Sequence, residues 1–385
     1  MTVHEAAGHG GGRCRSFHDG ILERRIDNGN HLVLSGNHAV LGYLREIGGE
    51  DGLTGPETAE FPFLELGSGL RWTVRPGAGP IPWWILFPGR RVPGTRTAEY
   101  LRVLGLARAP ADATVASCLD RGGLLFKRFW EPLAVSILNA SAEEGAASLL
   151  WPVLKETFGR GRAACRPLIA EKGLSECFVD PALRLLGNRV RFNSRLRALA
   201  VGPGRAVSLE FGGNTVELGT GDRVILAVPP AAAAGLVEGI VTPRGSRAIV
   251  NGHFRLDAGR ETLSFLGLAG GLSQWLFVRH DVVSVTVSAA DDLMDDPADD
   301  IARRLWPEVA FALELGDAPL PPFRIVKERR ATFAQTPANA RARPGVRTPW
   351  NNLYLAGDWT DTRLPATIEG AVRSGWTAAD AVLNS

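Results

Sequence analysis

A short apolar run, Asn352-Leu353-Tyr354-Leu355-Ala356, is broken by Gly357-Asp358. Pro365-Ala366-Thr367-Ile368-Glu369-Gly370-Ala371 then opens a helical pattern reaching about Leu383. A strand ending this way delivers a carboxylate, Asp358, to hydroxyls or water near a phosphate. The helix start behind it, at Thr367, Ile368 and Glu369, offers free N–H groups and a positive dipole end to an electron-rich atom. Gly370 and Gly375 are expected to let that helix pack closely. Alone, a strand, a Gly-Asp and a helix fit any α/β crossover. Two further segments carry polar groups at suggestive spacing. Glu5 precedes a glycine-rich turn, Gly8 to Gly12 with Arg13, and Asp27-Asn28-Gly29-Asn30-His31 places a carboxylate and an imidazole around a glycine.

The elements that must position these groups are read from periodicity. Thr2 to Glu5 reads as a short strand running into the glycine turn, and Val40, Leu41, Leu44 and Ile47 recur at helical spacing over 37–47. Helical patterns are expected over 98–107, 143–158 and 173–186. Ala206–Phe211 and Thr215–Leu218 alternate as a hairpin around Gly212-Gly213-Asn214. Arg223 to Val228 reads as a buried strand closed by Pro229-Pro230, and 247–290 carries further strand patterns before a helix from Pro297. Residues 60–165 have another texture, with many tryptophans. The segment Pro80 to Pro88 cannot form a long helix, because proline removes a donor and clashes with the preceding turn. This region reads as a separate cap.

Length and composition set the frame. A chain of 385 residues exceeds one ordinary core, so two domains are expected. Lys plus Arg number 43 against 41 Asp plus Glu, and the arginines are scattered, which gives no reason to invoke nucleic acid. Cys14, Cys118, Cys165 and Cys177 show no C-x-x-C pair and no metal-ligand spacing, so free thiols in a reduced cytoplasmic protein and no metal are expected. No apolar run has the length of a membrane span, and no secretory signal opens the sequence.

The string Leu355 to Thr360, with Pro365 to Gly375, resembles the C-terminal flavin motif of the amine-oxidase, protoporphyrinogen-oxidase and phytoene-desaturase superfamily. The resemblance implies FAD. By it, Asp358 after Gly357 meets the ribityl–pyrophosphate region, and Thr367, Ile368 and Glu369 lie at the isoalloxazine carbonyl. Glu5 with Gly11-Gly12-Arg13 and Ser16 looks like the family's second strand and G-G-R-x-x-S turn. Glu5 then accepts from the ribose diol and Arg13 meets the pyrophosphate. Asp27 to His31 resembles the segment passing the flavin, with Gly29 allowing close approach. Val190–Leu199 resembles the adenine-bracketing strand with Leu196 in contact, and Val224–Pro230 the strand leading out of the flavin domain.

The implied fold class is α/β, α+β overall: a Rossmann-like FAD domain over 1–60, 165–235 and 345–385, with a substrate or cap domain over 61–164 and 236–344. The family's first strand and G-x-G-x-x-G turn stand about 20 residues before the ribose carboxylate. That unit is expected to be missing here, with roughly 30 residues lost upstream of a GTG codon read as Met1, and flavin binding is then expected to be weak.

Glu5 to Ser16, Asp27 to His31 and Asp358 to Thr367 are similar to a squalene-associated branch of this superfamily, as are Phe129-Trp130-Glu131-Pro132-Leu133 and Arg166-Pro167-Leu168-Ile169. The implied activity is FAD-dependent reductive dehydroxylation of hydroxysqualene to squalene, in bacterial hopanoid synthesis. Loss of hydroxide needs a proton or a polarising donor, and Asp27 and His31 are the candidates. An apolar C30 isoprenoid needs an apolar tunnel, for which Trp83, Trp84, Phe87, Phe126 and Phe129 are candidate walls or ordinary core. The Pro-bracketed tryptophans also suit peripheral contact with the inner membrane. The alternatives are a carotenoid-desaturase-like or amine-oxidase-like flavoenzyme, or a truncated, non-catalytic flavin fold. The three tyrosines, Tyr43, Tyr100 and Tyr354, are few for an amine-binding aromatic cage.

Overall fold

A computed structural model describes residues 1–256 and 264–385; of the expected strands over 247–290, the stretch 257–263 lies outside the described residues. Two of the parallel pairings form separate two-stranded ladders. Val3–His4 pairs with Val190–Arg191, and Val224–Leu226 pairs with Leu353–Leu355. Leu353, Tyr354 and Leu355 are all buried, as expected of a β-prone run covered on both faces. Its partner differs from the sequence expectation. Leu226 is buried but Ile225 is exposed, so this strand is covered on one face only.

Alongside lie two helices, His38–Ile47 and the C-terminal Ile368–Leu383, which pack together. The first turns Val40 and Leu44 inward and stops at Gly48, whose φ of 70° suits glycine.

Seven strands make the large sheet, in the order 323–333, 246–255, 282–288, 275–279, 264–269, 61–65, 71–74. All neighbours are antiparallel except 264–269 with 61–65. The helix Ala298–Ala312 buries Ile301, Leu305 and Val309 in a core shared with Val250, Val283 and Val285. A second, aromatic core joins Phe61, Phe63, Trp72 and Trp275 to Trp84, Phe126, Phe129 and Trp130. Phe126, Phe129 and Trp84 are therefore core. Trp83 and Phe87 face solvent and form no buried wall.

Helices between residues 97 and 156 are shorter than their periodicity suggests. The pattern over 98–107 breaks into Thr97–Leu101 and Leu104–Ala107, and that over 143–158 contracts to Ala147–Glu156. At Gly145 a Cβ would stand 2.7 Å from Leu138 Cδ1, so the approach to this helix is a tight turn. The expected helix over 173–186 begins with a wide turn, Ser175–Val179, before regular helix from Asp180. In the hairpin, Asn214 belongs to the strand, paired with Phe211. The turn is Gly212-Gly213 alone, both at positive φ. Trp83–Leu86 and Pro88–Arg90 are single 3₁₀ turns, in keeping with the prolines around them. Among the described residues no helix is long and apolar enough to cross a membrane.

Candidate functional site

Strand Leu353–Leu355 ends at Gly357, with φ of 133°, where a Cβ would stand 2.6 Å from the Trp359 indole nitrogen. Only glycine fits, and the turn delivers the Asp358 carboxylate to the Arg13 guanidinium at 2.8 Å. Burial works against the Arg13 cation, but Asp358, with Glu328, outweighs it and raises its pKa. Arg13 is delivered by a second glycine-dependent turn. Gly11, at φ of 94°, would place a Cβ 2.3 Å from the Cys14 carbonyl, and Gly12, at φ of 56°, has open space where its Cβ would be. Residues 345 positions apart in sequence are thus joined.

Behind this pair stands a residue the sequence reading missed. Arg343 is buried and donates to the carbonyls of Leu364 (2.6 Å), Asp358 (3.2 Å) and Thr360, and to the Thr362 hydroxyl (3.0 Å). It fixes the loop between the Gly-Asp turn and the C-terminal helix, and burial lowers its pKa.

At the head of that helix Thr367 is the N-cap, its hydroxyl accepting from the Gly370 N–H at 3.1 Å. Gly370 is demanded by the Pro365 carbonyl, 2.7 Å from a Cβ, whereas Gly375 faces open space and is not required by packing. The N–H groups of Ile368 and Glu369 have no intrahelical partner by geometry. Their side chains serve the protein. Ile368 packs against the core of Val40 and Leu44. The buried Glu369 carboxylate accepts from the N–H groups of Ala39 (3.1 Å) and Val40 (2.9 Å) and from Arg373. Any ligand at this helix start therefore meets backbone donors.

Glu5 closes its strand with its N–H on the Arg191 carbonyl, and one carboxylate oxygen accepts from the Ala7 N–H at 2.8 Å. Leu196 opens the strand 196–202 and packs on the cluster containing Trp359 and Leu355.

The segment 27–31 leans on the large sheet. Asp27 is buried, and its carboxylate accepts from the Ser16 hydroxyl (2.5 Å), the Leu174 N–H (3.0 Å) and Arg279 (2.6 Å). Next to it, Asn251 donates to the Asn28 carbonyl at 3.2 Å, and a Gly29 Cβ would meet the same amide nitrogen at 3.3 Å. Thr286 links Asn251 to Asn30, whose buried Oδ1 has no partner among the described residues. His31 makes no hydrogen bond among them. Burial, opposed by Asp27 and aided by Arg13, lowers its pKa below the usual 6.5. A cavity of about 340 Å³ opens beside Asp27, with Ile26 and Val282 as well as Arg24, Arg25, Arg279 and Asp281 in its walls.

Chemically the set comprises a half-exposed carboxylate closing a strand, a guanidinium on a glycine turn, a carboxylate beside it, and free N–H groups at a capped helix start. Those donors and acceptors match what FAD presents: a ribose diol, a diphosphate, a ribityl chain and a ring carbonyl. The open space at Gly12 suits close approach of such a group.

Comparison with known proteins agrees. The family model for flavin-containing amine oxidoreductases matches residues 1–383. Hydroxysqualene dehydroxylase of Rhodopseudomonas palustris is 48% identical over 387 aligned residues, covering 100% of this chain and 92% of that protein. The namesake from Sinorhizobium fredii is 46% identical, covering 100% and 93%. Among solved structures, a putative protoporphyrinogen oxidase from Exiguobacterium sp. 255-15 superposes with a TM-score of 0.68 at 17% identity, over 100% of this chain and 93% of that one. That likeness speaks for the fold. The chain is an oxidoreductase that takes FAD, and it belongs to the flavin-containing amine oxidoreductase family.

Proposed function

We propose that this chain reduces hydroxysqualene to squalene. The observation that carries the reading is kinship over the whole chain with two hydroxysqualene dehydroxylases at 46–48% identity, with the Arg13–Asp358 pair and helix start intact. The reaction adds a hydride to the allylic carbon, breaks its C–O bond, and needs one proton so that the hydroxyl leaves as water. Bound and reduced, the flavin supplies the hydride.

The chain's own residues do the rest. Glu5 accepts from the ribose hydroxyls, and Arg13 faces the diphosphate across Gly11 and Gly12. Asp358, after Gly357, takes the ribityl hydroxyls, and Leu196 lies by the adenine. Thr367 caps the helix so that the Ile368 and Glu369 N–H groups point at the ring carbonyl, and Gly29 lets the backbone approach the ring. His31, with no hydrogen-bond partner among the described residues, polarises the leaving hydroxyl. Asp27, another candidate acid, is held by three donors, which suits it to steadying the segment and the His31 charge.

An amine substrate is disfavoured by the tyrosines. Tyr354 and Tyr100 are buried, and Tyr43 donates to the Phe178 carbonyl. The reading places the enzyme in the cytoplasm, drawing an apolar isoprenoid from the inner membrane by peripheral contact. Incubating the FAD-loaded protein with reductant and hydroxysqualene, with the lipid extract resolved by gas chromatography, tests it. Squalene is expected; unchanged hydroxysqualene or a more desaturated product contradicts it.

A further inference from the structure

A cluster of large apolar side chains lies exposed on the cap. Ile81, Trp83, Leu86, Phe87, Leu101 and Leu104 are each 53–63% exposed. Scattered surface apolar residues need no explanation, but a contiguous patch does. The segments that carry them are tied together. In a 3₁₀ turn residues three apart eclipse, so Trp83 and Leu86 share one face while Trp84 and Ile85 turn into the core. The turn is pinned to the helix Thr97–Leu101 by the Thr97 hydroxyl on the Ile85 carbonyl (2.9 Å) and by Trp84 edge-on to Tyr100 at 5.5 Å. That helix buries Tyr100 and leaves Leu101 outside, and the next buries Leu106 and leaves Leu104 outside.

Charge surrounds the patch asymmetrically. Residues 81–128 hold eight basic and three acidic side chains, in a chain whose net charge is only +2. Arg90, Arg96 and Arg108 are exposed, and among the described residues their side chains form no ion pair, although the Arg96 N–H donates to the Glu99 carboxylate at 2.9 Å. An exposed apolar segment carrying tryptophan, in a stretch of chain with exposed arginines that form no ion pair among the described residues, complements the interface of an anionic bilayer.

We infer that the cap face formed by 81–87 and 101–104 is a docking surface for an anionic lipid bilayer. Trp83, Leu86 and Phe87 enter the headgroup–acyl boundary, and Arg90, Arg96 and Arg108 lie against the lipid phosphates. The inference deepens the proposed reading, since a C30 isoprenoid is collected from such a surface, but it stands on exposure and charge alone.

Vesicle flotation of the full chain decides it, with phosphatidylcholine vesicles against phosphatidylcholine–phosphatidylglycerol mixtures. Each basic side chain at an anionic surface favours partitioning about fivefold. The variant R90E/R96E/R108E is therefore expected to partition at least 100-fold more weakly, to about the level of neutral vesicles. W83S/L86S is expected to lose binding to both vesicle types, and added salt to weaken only the anionic component. Wild-type protein that fails to float, or binds both compositions equally, overturns the inference. So does a concentration-dependent dimer abolished by W83S/L86S, which would assign the patch to a second copy. Squalene formation in detergent micelles is followed in parallel. Activity without flotation sinks the surface and leaves the reaction; flotation without activity does the reverse.

Discussion

Glu369→Ala tests how the site is built. The helix His38–Ile47 has no side-chain N-cap bond of its own, and Glu369 supplies one from another helix through the Ala39 and Val40 N–H groups. Val40 is buried, so its donor would be orphaned, at about 1–3 kcal/mol. Ala39 is half-buried and can turn to water, and loss of the charge at a helix start adds about 1 kcal/mol. Arg373 keeps Glu156 at 2.8 Å, so it adds little. The expected cost is about 2–4 kcal/mol. With an unfolding entropy of about 2 cal/mol/K per residue over 385 residues, the melting temperature should fall by about 3–5 °C. Glu369→Gln keeps an acceptor but not the charge, and should lose about half as much. Differential scanning calorimetry of both variants, with flavin release monitored, is the assay. A Glu369→Ala variant that melts with the wild type would refute the cross-helix cap.

Three further outcomes follow from other groups. His253 is buried on Ser284 (2.7 Å), and burial pushes its pKa down to about 4. The unfolded chain binds the extra proton between pH about 6.5 and 4, so stability falls with pH across that window by up to about 3 kcal/mol. Urea unfolding should show His253→Gln losing less over the same range. Asp27→Asn should cost about 2–4 kcal/mol by stranding Arg279, whose side chain is 18% exposed, and Arg279→Met in the same chain should recover part of it; strictly additive losses would contradict the pair. If His31 protonates the leaving hydroxyl, kcat/KM should fall about tenfold per pH unit above a pKa below 6.5. His31→Gln should flatten the profile, and an unchanged profile would remove His31 from the chemistry.

Groups that act through their neighbours in sequence were legible. Gly357-Asp358, the Thr367 cap and the Gly11 turn each reflect a local backbone demand, and the sequence reading locates all of them. What was not legible depends on pairing across the chain. Arg279, Asn251 and Thr286 reach the 27–31 segment from strands more than 220 residues away, and nothing in their local pattern marks them. Arg343 lies in a loop, with a role fixed only by the carbonyls around it. Glu369 was read toward the ligand, yet its carboxylate turns to another helix, because N–H groups without a cap outcompete solvent for a buried charge. Ile225 reads as core, but periodicity records how apolar a strand is and not which of its faces is covered.

The central claim is that reducing equivalents held at this site leave in the C–O bond cleavage of hydroxysqualene. Anaerobic single turnover tests it directly: the FAD-loaded protein is reduced stoichiometrically, hydroxysqualene is added, and the visible flavin band and squalene are followed together. The account predicts return of the oxidised band with one squalene formed per flavin, and loss of both in a chain that fails to retain flavin, such as Asp358→Ala. Reoxidation without squalene, or squalene formed while the flavin stays reduced, would contradict it.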